Sequence, residues 1–460
     1  MGSDPGKTGL SARNMVRDSI LKALLKAGIE AAPKDIQLER PNNTENGDLS
    51  SNIALITSKK LGKNPRELAA TIVEALDFDE GFIDSVEVAG PGFLNLSFSK
   101  EYLRSQVALI NELGSSYGDS DAGSGKKVQV EYVSANPTGP LVIVAARAAA
   151  VGSSLVNVLK KTGHEVEGEY YLNDAGSQVE KLGISLMVRF RQRLGEDVPF
   201  PEDGYPGDYL VDIAAELDED EGRGWLAMEE DEARKLFGAL ALDRITEWIK
   251  RDLEGFGVSF DTFFRESDLH REGGEVSQAL EIFREKKVVY EEEGALWFRS
   301  TEFGDEKDRV LVRSDGTPTY FLADAAYHLN KLRRGFTHVI DIFGPDHHGH
   351  ISRIKAAATV FGASDDWLDV MTVQWVRLIE DGKQVKMSKR GGDFETLASL
   401  VEDVGSDASK FFFLQRKTNA HLDFNLTLAR TESDENPVYY VQYAHARISS
   451  VISYAGEQGV

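Results

Sequence analysis

The sequence predicts an α/β protein: a domain built on a parallel sheet, preceded by a small α+β unit and followed by a helical stub. Three observations lead there. From residue 127 to 171 the chain reads strand, turn, helix, strand, the unit that sets two parallel strands side by side. After a long charged helical stretch, strand and helix signals alternate again. Before residue 118 there are instead shorter helices and one alternating strand pair.

Ile20, Leu21, Leu24 and Leu25 give the first helix its apolar stripe. A second helix follows Asn64-Pro65, with the proline in its first turn and Leu68, Ile72 and Val73 on one face. Val86-Glu87-Val88 and residues 93–98 alternate as strands about Gly90-Pro91-Gly92. Residues 114–126, rich in glycine, serine and aspartate, read as a linker. Then come a strand at 128–133, the turn Asn136-Pro137-Thr138-Gly139-Pro140, a helix at 145–161 and a strand at 166–171. Leu311-Val312-Arg313, residues 339–342 and Val373-Gln374-Trp375-Val376 supply further strands of the parallel sheet. From Ala408 the chain reads as helical, with a new helical segment from Asn436.

The expected divisions are a terminal extension (1–9), an α+β domain (10–118) and a parallel-sheet domain (119–395) with a helical insertion at about 175–268. A helical region (396–435) and the start of another helical domain (436–460) follow. A chain of 460 residues is too long for a single core. Its 41% apolar and 28% charged residues are ordinary for a soluble globular protein. No apolar run approaches the ~18 residues of a membrane span, so no membrane partner is expected. Residues 1–8 lack the apolar stretch of a signal peptide, which leaves the cytoplasm as the expected location. Zero cysteines exclude disulfides and thiolate metal sites. A net charge of −24 argues against coating nucleic acid with the whole surface, and no DNA partner is expected. Local clusters such as Lys331-Leu332-Arg333-Arg334 can still face RNA phosphates.

Two segments carry chemistry. Beyond the strand ending at Val133, the turn Pro137-Thr138-Gly139-Pro140 leads into a helix whose first N–H groups can face a phosphate. Alone it is only a tight turn. Residues 373–378 form a strand, Asp381-Gly382 a hairpin turn, and residues 384–387 the return into Ser388-Lys389-Arg390-Gly391-Gly392. Lys386 and Lys389, three apart beside the Ser388 hydroxyl on a glycine hinge, could close over a triphosphate; alone they are solvated charge. Gly6-Lys7-Thr8 imitates a phosphate loop, but its glycine spacing is one short and no strand precedes it. The run His347-His348-x-His350 lacks further ligand spacing, and no metal site is expected.

The order of these segments, with the insertion between them, resembles the class I aminoacyl-tRNA synthetases and specifically the arginyl-tRNA synthetases. The likeness runs from about Leu10 to Ile448. Its N-terminal part comprises Glu39-Arg40-Pro41, Asn46-Gly47-Asp48 and Ala89-Gly90-Pro91-Gly92-Phe93. In the catalytic part it comprises Tyr170-Tyr171-Leu172-Asn173-Asp174-Ala175-Gly176, Asp315-Gly316-Thr317-Pro318-Thr319-Tyr320 and Gly344-Pro345-Asp346-His347-His348-Gly349. A last match starts at Asn436-Pro437-Val438-Tyr439-Tyr440.

The resemblance implies a Rossmann-like catalytic domain, an N-terminal tRNA-binding domain and the start of an anticodon-binding domain. It implies activation of L-arginine with ATP and Mg²⁺, then transfer to tRNA(Arg), by a monomer. Glu131, Asn136, Tyr320 and Asp324 correspond to arginine-binding residues; Tyr320 and Asp324 are one helical turn apart. Pro137, Thr138, Gly139, Val142, Ala145, Gly344, Asp346, His347 and Met387 fall on ATP-binding positions. Lys386, Ser388 and Lys389 fall on catalytic ones, and Phe93 and Asn95 on positions that touch tRNA, where an aromatic ring can stack on a base or be a buried strand residue.

The chain departs from the family in two places. After Leu141 the family has a His-Ile-Gly-His-type signature, but here Val142 and Ala145 occupy the histidine positions and Val144 the glycine position. Each lost hydrogen bond to a charged group is worth roughly 1.5–3 kcal/mol, or about 10- to 150-fold in rate. Strong impairment of activation is therefore expected. The alternative is a catalytically inactive arginine- or tRNA-binding protein, or a redesigned scaffold. Second, most of the anticodon-binding domain would lie beyond Val460, so anticodon recognition should be weak or absent.

Overall fold

A three-stranded antiparallel sheet covered by helices forms the first of two units, residues 1–123 with 161–163; residues 124–160 and 164–460 form the second. The computed structural model describes residues 8–385 and 396–459, with the side chains of 8–11 and 346–348 outside that description. In the first unit, α1 (Thr8–Lys26) buries Val16, Ile20 and Leu24, but Leu25 is exposed. Successive helical residues point about 100° apart, so Leu24 and Leu25 cannot share the core-facing stripe. Strand β1 (Leu49–Ser51) and helix α2 (Ile53–Leu61) follow; neither carries a periodic signal long enough to read. Helix α3 (Pro65–Ala75) starts where Asn64-Pro65 predicts: the Asn64 side-chain oxygen accepts the N–H groups of Arg66 and Glu67. Strands β2 (Ile83–Ala89) and β3 (Phe93–Phe98) form the expected hairpin, and helix α4 (Lys100–Leu113) follows.

Five parallel strands organise the second unit: β4 (Lys127–Glu131), β5 (Glu165–Leu172), β6 (Thr262–Arg265), β10 (His338–Phe343) and β11 (Leu368–Thr372), in the order β11-β10-β4-β5-β6. The chain runs outward from β4 to β6, then returns to the other side of β4 as β10 and β11. The reversal between β4 and β10 opens a crevice at their carboxyl ends, where ligands of such sheets bind. Helix α5 (Ile143–Lys161) links β4 to β5. It is long and apolar enough to cross a membrane by composition, yet half of that stretch is buried and Ala146, Ala149 and Ala150 lie in the core. A Cβ added at its Gly152 would meet the Tyr132 ring at 2.2 Å. Gly152→Ala should therefore lower stability by about 1–3 kcal/mol, read as a shifted urea midpoint at unchanged slope.

The insertion comprises α6 (Ser177–Arg193), α7 (Tyr209–Glu216), α8 (Glu219–Leu226) and α9 (Glu230–Gly255). It ends earlier than the predicted residue 268, because β6 joins the sheet with Thr262 opposite Glu169. Four residues are too few for an alternation signal. Helices α10 (Glu266–Leu269) and α11 (Glu275–Glu285) precede β7 (Val289–Glu292), β8 (Ala295–Phe298) and β9 (Arg309–Val312). These strands form a separate antiparallel sheet, so Leu311-Val312 does not belong to the parallel one.

Helices α12 (Tyr320–Arg333) and α13 (Ile351–Val360) flank β10. Residues 373–375, predicted as strand, connect β11 to β12 (Val376–Glu380); Asp381 and Gly382 then turn the chain with φ 48° and 75° into β13 (Lys383–Gln384). The C-terminal part holds α14 (Leu397–Val404), α15 (Ser406–Leu414), β14 (Leu422–Asn425), α16 (Leu426–Arg430) and α17 (Pro437–Glu457). Strand β14, in a region predicted to be helical, pairs in parallel with β12. Asn436 caps α17 through its side-chain oxygen and the Val438 N–H. Tyr440, Tyr443, Ile448, Val451 and Ile452 of α17 are exposed.

Candidate active site

Strand β4 ends in strained backbone. Val133 and Ser134 have φ of 70° and 37°, a left-handed region that a β-branched residue enters only under constraint. The constraint is a hydroxyl: Ser134 Oγ donates to Glu131 Oε1 (2.9 Å) and accepts the Tyr171 N–H (3.1 Å), tying β4 to β5. The strain thereby aims Glu131 at the carboxyl end of the sheet. Of the turn that follows, Asn136 and Pro140 are exposed, Pro137 is buried, and Thr138 and Gly139 are half-buried. The Tyr209 hydroxyl donates to the Thr138 carbonyl, and its ring lies against Gly139, where a Cβ would sit 3.5 Å away.

Three carboxylates surround Tyr171. The negative charges of Glu266, Asp324 and Glu131 all act on its hydroxyl. Burial first, then these negative charges, push its phenol far above the ordinary tyrosine range. The same negative potential suits a cation. Asp324 lies one turn into α12, and its carboxylate accepts from His350 Nε2 at 2.7 Å. Arg353 Nε donates to the other ring nitrogen of His350 (2.6 Å), which leaves the hydrogen on the nitrogen facing Asp324. Tyr320 opens α12 and is 57% exposed, free to meet a ligand at the rim.

Behind Glu131 lies a fully buried charge cluster. Lys331 Nζ is 2.6 Å from Glu131 Oε2 and 2.7 Å from Asp341 Oδ1, and sits 4.3 Å over the Tyr327 ring. His328 bridges Asp341 (2.9 Å) and the Asp324 carbonyl oxygen (2.7 Å). Burial alone would raise Asp341, but Lys331 and His328 outweigh it and hold it well below the ordinary carboxylate range. For Glu131 burial wins over Lys331, and its carboxyl stays raised.

At the start of α5, the Val142 side chain is exposed, Val144 is half-buried and Ala145 is buried. Val142 forms a β-bridge with Thr396, and Leu141 accepts the Leu397 N–H. No side chain there offers a hydrogen to a phosphate. Gly344 ends the β10 segment with open space where a side chain would project. The side chains of Asp346 and His347, and all of Lys386, Met387, Ser388 and Lys389, lie outside the described residues. In the first unit, Phe93 is 38% exposed rather than buried, and borders a groove with Asn52, Lys59 and Lys60. Asn95 accepts a hydrogen bond from Ser50 (2.8 Å).

Thus Glu131 and Asp324 face a common tyrosine, while Asn136 and Tyr320 stand exposed at the turn and the helix start. Sequence reasoning gave no role to Ser134 or Glu266, and it set Lys331 in a basic cluster facing RNA, which its fully buried side chain rules out. Only Tyr171 had a signal, through the Tyr-Tyr-Leu-Asn-Asp motif.

Comparison with known proteins decides the family. Residues 14–98 match the arginyl tRNA synthetase N-terminal domain, and residues 107–420 match the class I (R) tRNA synthetase catalytic domain. The chain belongs to the arginyl-tRNA synthetases. It is 47% identical to the arginine–tRNA ligase of Geobacillus kaustophilus over 97% of the chain and 81% of that relative. The arginine–tRNA ligase of Bacillus subtilis is 45% identical over the same shares. The Thermus thermophilus arginyl-tRNA synthetase structure has the same fold at 20% identity, with a TM-score of 0.71 over 96% of this chain and 82% of that one. Family membership makes the chain an ATP-dependent ligase by class.

Proposed function

We propose that this chain is an arginine–tRNA ligase whose amino-acid activation is strongly impaired. The observation that carries the reading is the trio of carboxylates, Glu131, Glu266 and Asp324, around Tyr171 at the sheet's carboxyl end. A substrate with an ammonium and a guanidinium group needs such a site, and the guanidinium fork favours carboxylate acceptors. Asp324 receives the guanidinium in place of His350, Tyr320 closes over it, and Glu131 and Asn136 hold the α-amino end.

The arginine carboxylate then attacks the α-phosphorus of ATP, forming the adenylate and releasing pyrophosphate. Lys386, Ser388 and Lys389 would neutralise the leaving group, with Mg²⁺ brought in on the nucleotide. Pro137, Thr138 and Gly139 line the nucleotide, and Gly344, Asp346, His347 and Met387 complete its seat. Transfer to the 3′-terminal ribose of tRNA(Arg) follows, with Phe93 and Asn95 of the N-terminal domain against the tRNA. The protein acts in the cytoplasm as a monomer. Val142 and Ala145 supply none of the donors that phosphate charge requires, so the second reading, an arginine- or tRNA-binding protein without catalysis, has that one observation behind it. ATP–pyrophosphate exchange with arginine and tRNA present tests the proposal: a rate several orders of magnitude below that of the Geobacillus kaustophilus ligase is expected, and a near-equal rate contradicts it.

A further inference from the structure

Lys331 is a fully buried charge that this mechanism leaves without a task. Its side chain is 0% exposed, and all its neighbours are accounted for: Glu131 and Asp341 accept from it, and the Tyr327 ring caps it. An ammonium with no exposure cannot meet ATP, arginine or tRNA. Everything it does must pass through those neighbours, and of them only Glu131 stands at the end of a sheet strand. We propose that Lys331 is a positioning residue for arginine recognition: it anchors one oxygen of Glu131, keeps the carboxylate ionised, and leaves the other oxygen, held by Ser134, to face the substrate.

Several observations support the assignment. Glu131 is held at both oxygens, Oε2 by Lys331 at 2.6 Å and Oε1 by Ser134 at 2.9 Å, so its plane is fixed. The strained pair Val133–Ser134 would be a cost without benefit unless that orientation mattered. The charged and titratable groups around Glu131 are Lys331, His328 and Tyr327 of α12, Asp341 of β10 and Tyr171 of β5. Lys331 is the positive charge bonded directly to it. Burial and Asp341 both push Glu131 towards its neutral form, and Lys331 is the principal opposing influence. Neutral Glu131 could not attract the substrate's ammonium.

This inference rests on the proposed arginine site, and binding measurements separate the two. Titrate L-arginine calorimetrically into the full chain and into Lys331→Met. The variant should bind at least about tenfold more weakly at pH 7.5, because loss of an adjacent opposite charge shifts a carboxyl by about one to three pKa units. The loss should deepen as pH falls to 6, since a carboxyl raised further takes up its proton earlier. In a Glu131→Gln background, Lys331→Met should cost little more. Lys331→Gln, closer in shape, takes the place of the methionine variant if that does not fold. Unchanged arginine affinity in a folded Lys331 variant overturns the positioning role alone, as does an undiminished cost in the Glu131→Gln background. An unaltered chain that binds no arginine overturns the site reading and this inference together.

Discussion

The triple replacement Val142→His, Val144→Gly and Ala145→His should raise arginine- and tRNA-dependent ATP–pyrophosphate exchange by about 10²- to 10⁴-fold. Two imidazoles, each returning a hydrogen bond to phosphate worth roughly 1.5–3 kcal/mol, account for that range. The three positions are not equivalent in the fold. Val142 is 49% exposed, so an imidazole there meets solvent and substrate. Ala145 is only 7% exposed, and a larger ring must push its neighbours aside. Glycine at position 144 weakens the first turn of α5. Activity should therefore return together with a stability loss of about 2–4 kcal/mol. That exchange follows the usual opposition between a tightly packed site and a working one. Exchange that stays at background in a folded triple variant would show that the lost signature is not what limits the chain.

Replacing Arg147 by methionine should destabilise the protein by about 3–5 kcal/mol or more. Its guanidinium is fully buried and donates to the carbonyls of Gln374, Ala420 and Lys417, each at 2.9 Å. These carbonyls lie just before β12 and just before β14, so one side chain fastens α5 to the starts of two neighbouring parallel strands of the small sheet. Removing it takes a donor from the half-buried Gln374 and Ala420 carbonyls, at about 1–3 kcal/mol each before relaxation, while the Lys417 carbonyl keeps the Ala420 N–H. Arg147→Lys should recover only part of the loss, because an ammonium cannot span three carbonyls as a planar fork does. Urea unfolding measures both variants. A change below about 1 kcal/mol for Arg147→Met would contradict the clamp.

What could be read from the chain depended on how local the cause was. The β2–β3 hairpin, the start of α3 at Asn64-Pro65, the β4-α5-β5 unit and the Asp381-Gly382 turn all have causes within a few residues, and all are present. Strands β6 and β14, of four residues each, owe their existence to partners nearly a hundred and nearly fifty residues away and carry no signal of their own. β9 looks like any strand until its antiparallel partner is known. At the candidate site, Glu131 and Asp324 were legible through family motifs. The bond between Lys331 and Glu131 spans 200 residues and was not. Val133 is a good strand former, so nothing local announces its left-handed backbone.

We infer that carboxylates at the sheet's end still select arginine although Val142 and Ala145 stand where the family has histidines. Calorimetric titration of L-arginine into the unaltered chain and into Asp324→Asn tests it without any need for turnover. Saturable binding by the unaltered chain, weakened at least about tenfold in Asp324→Asn, is the predicted result. Equal affinity in the two proteins, or no saturable heat in either, would contradict it.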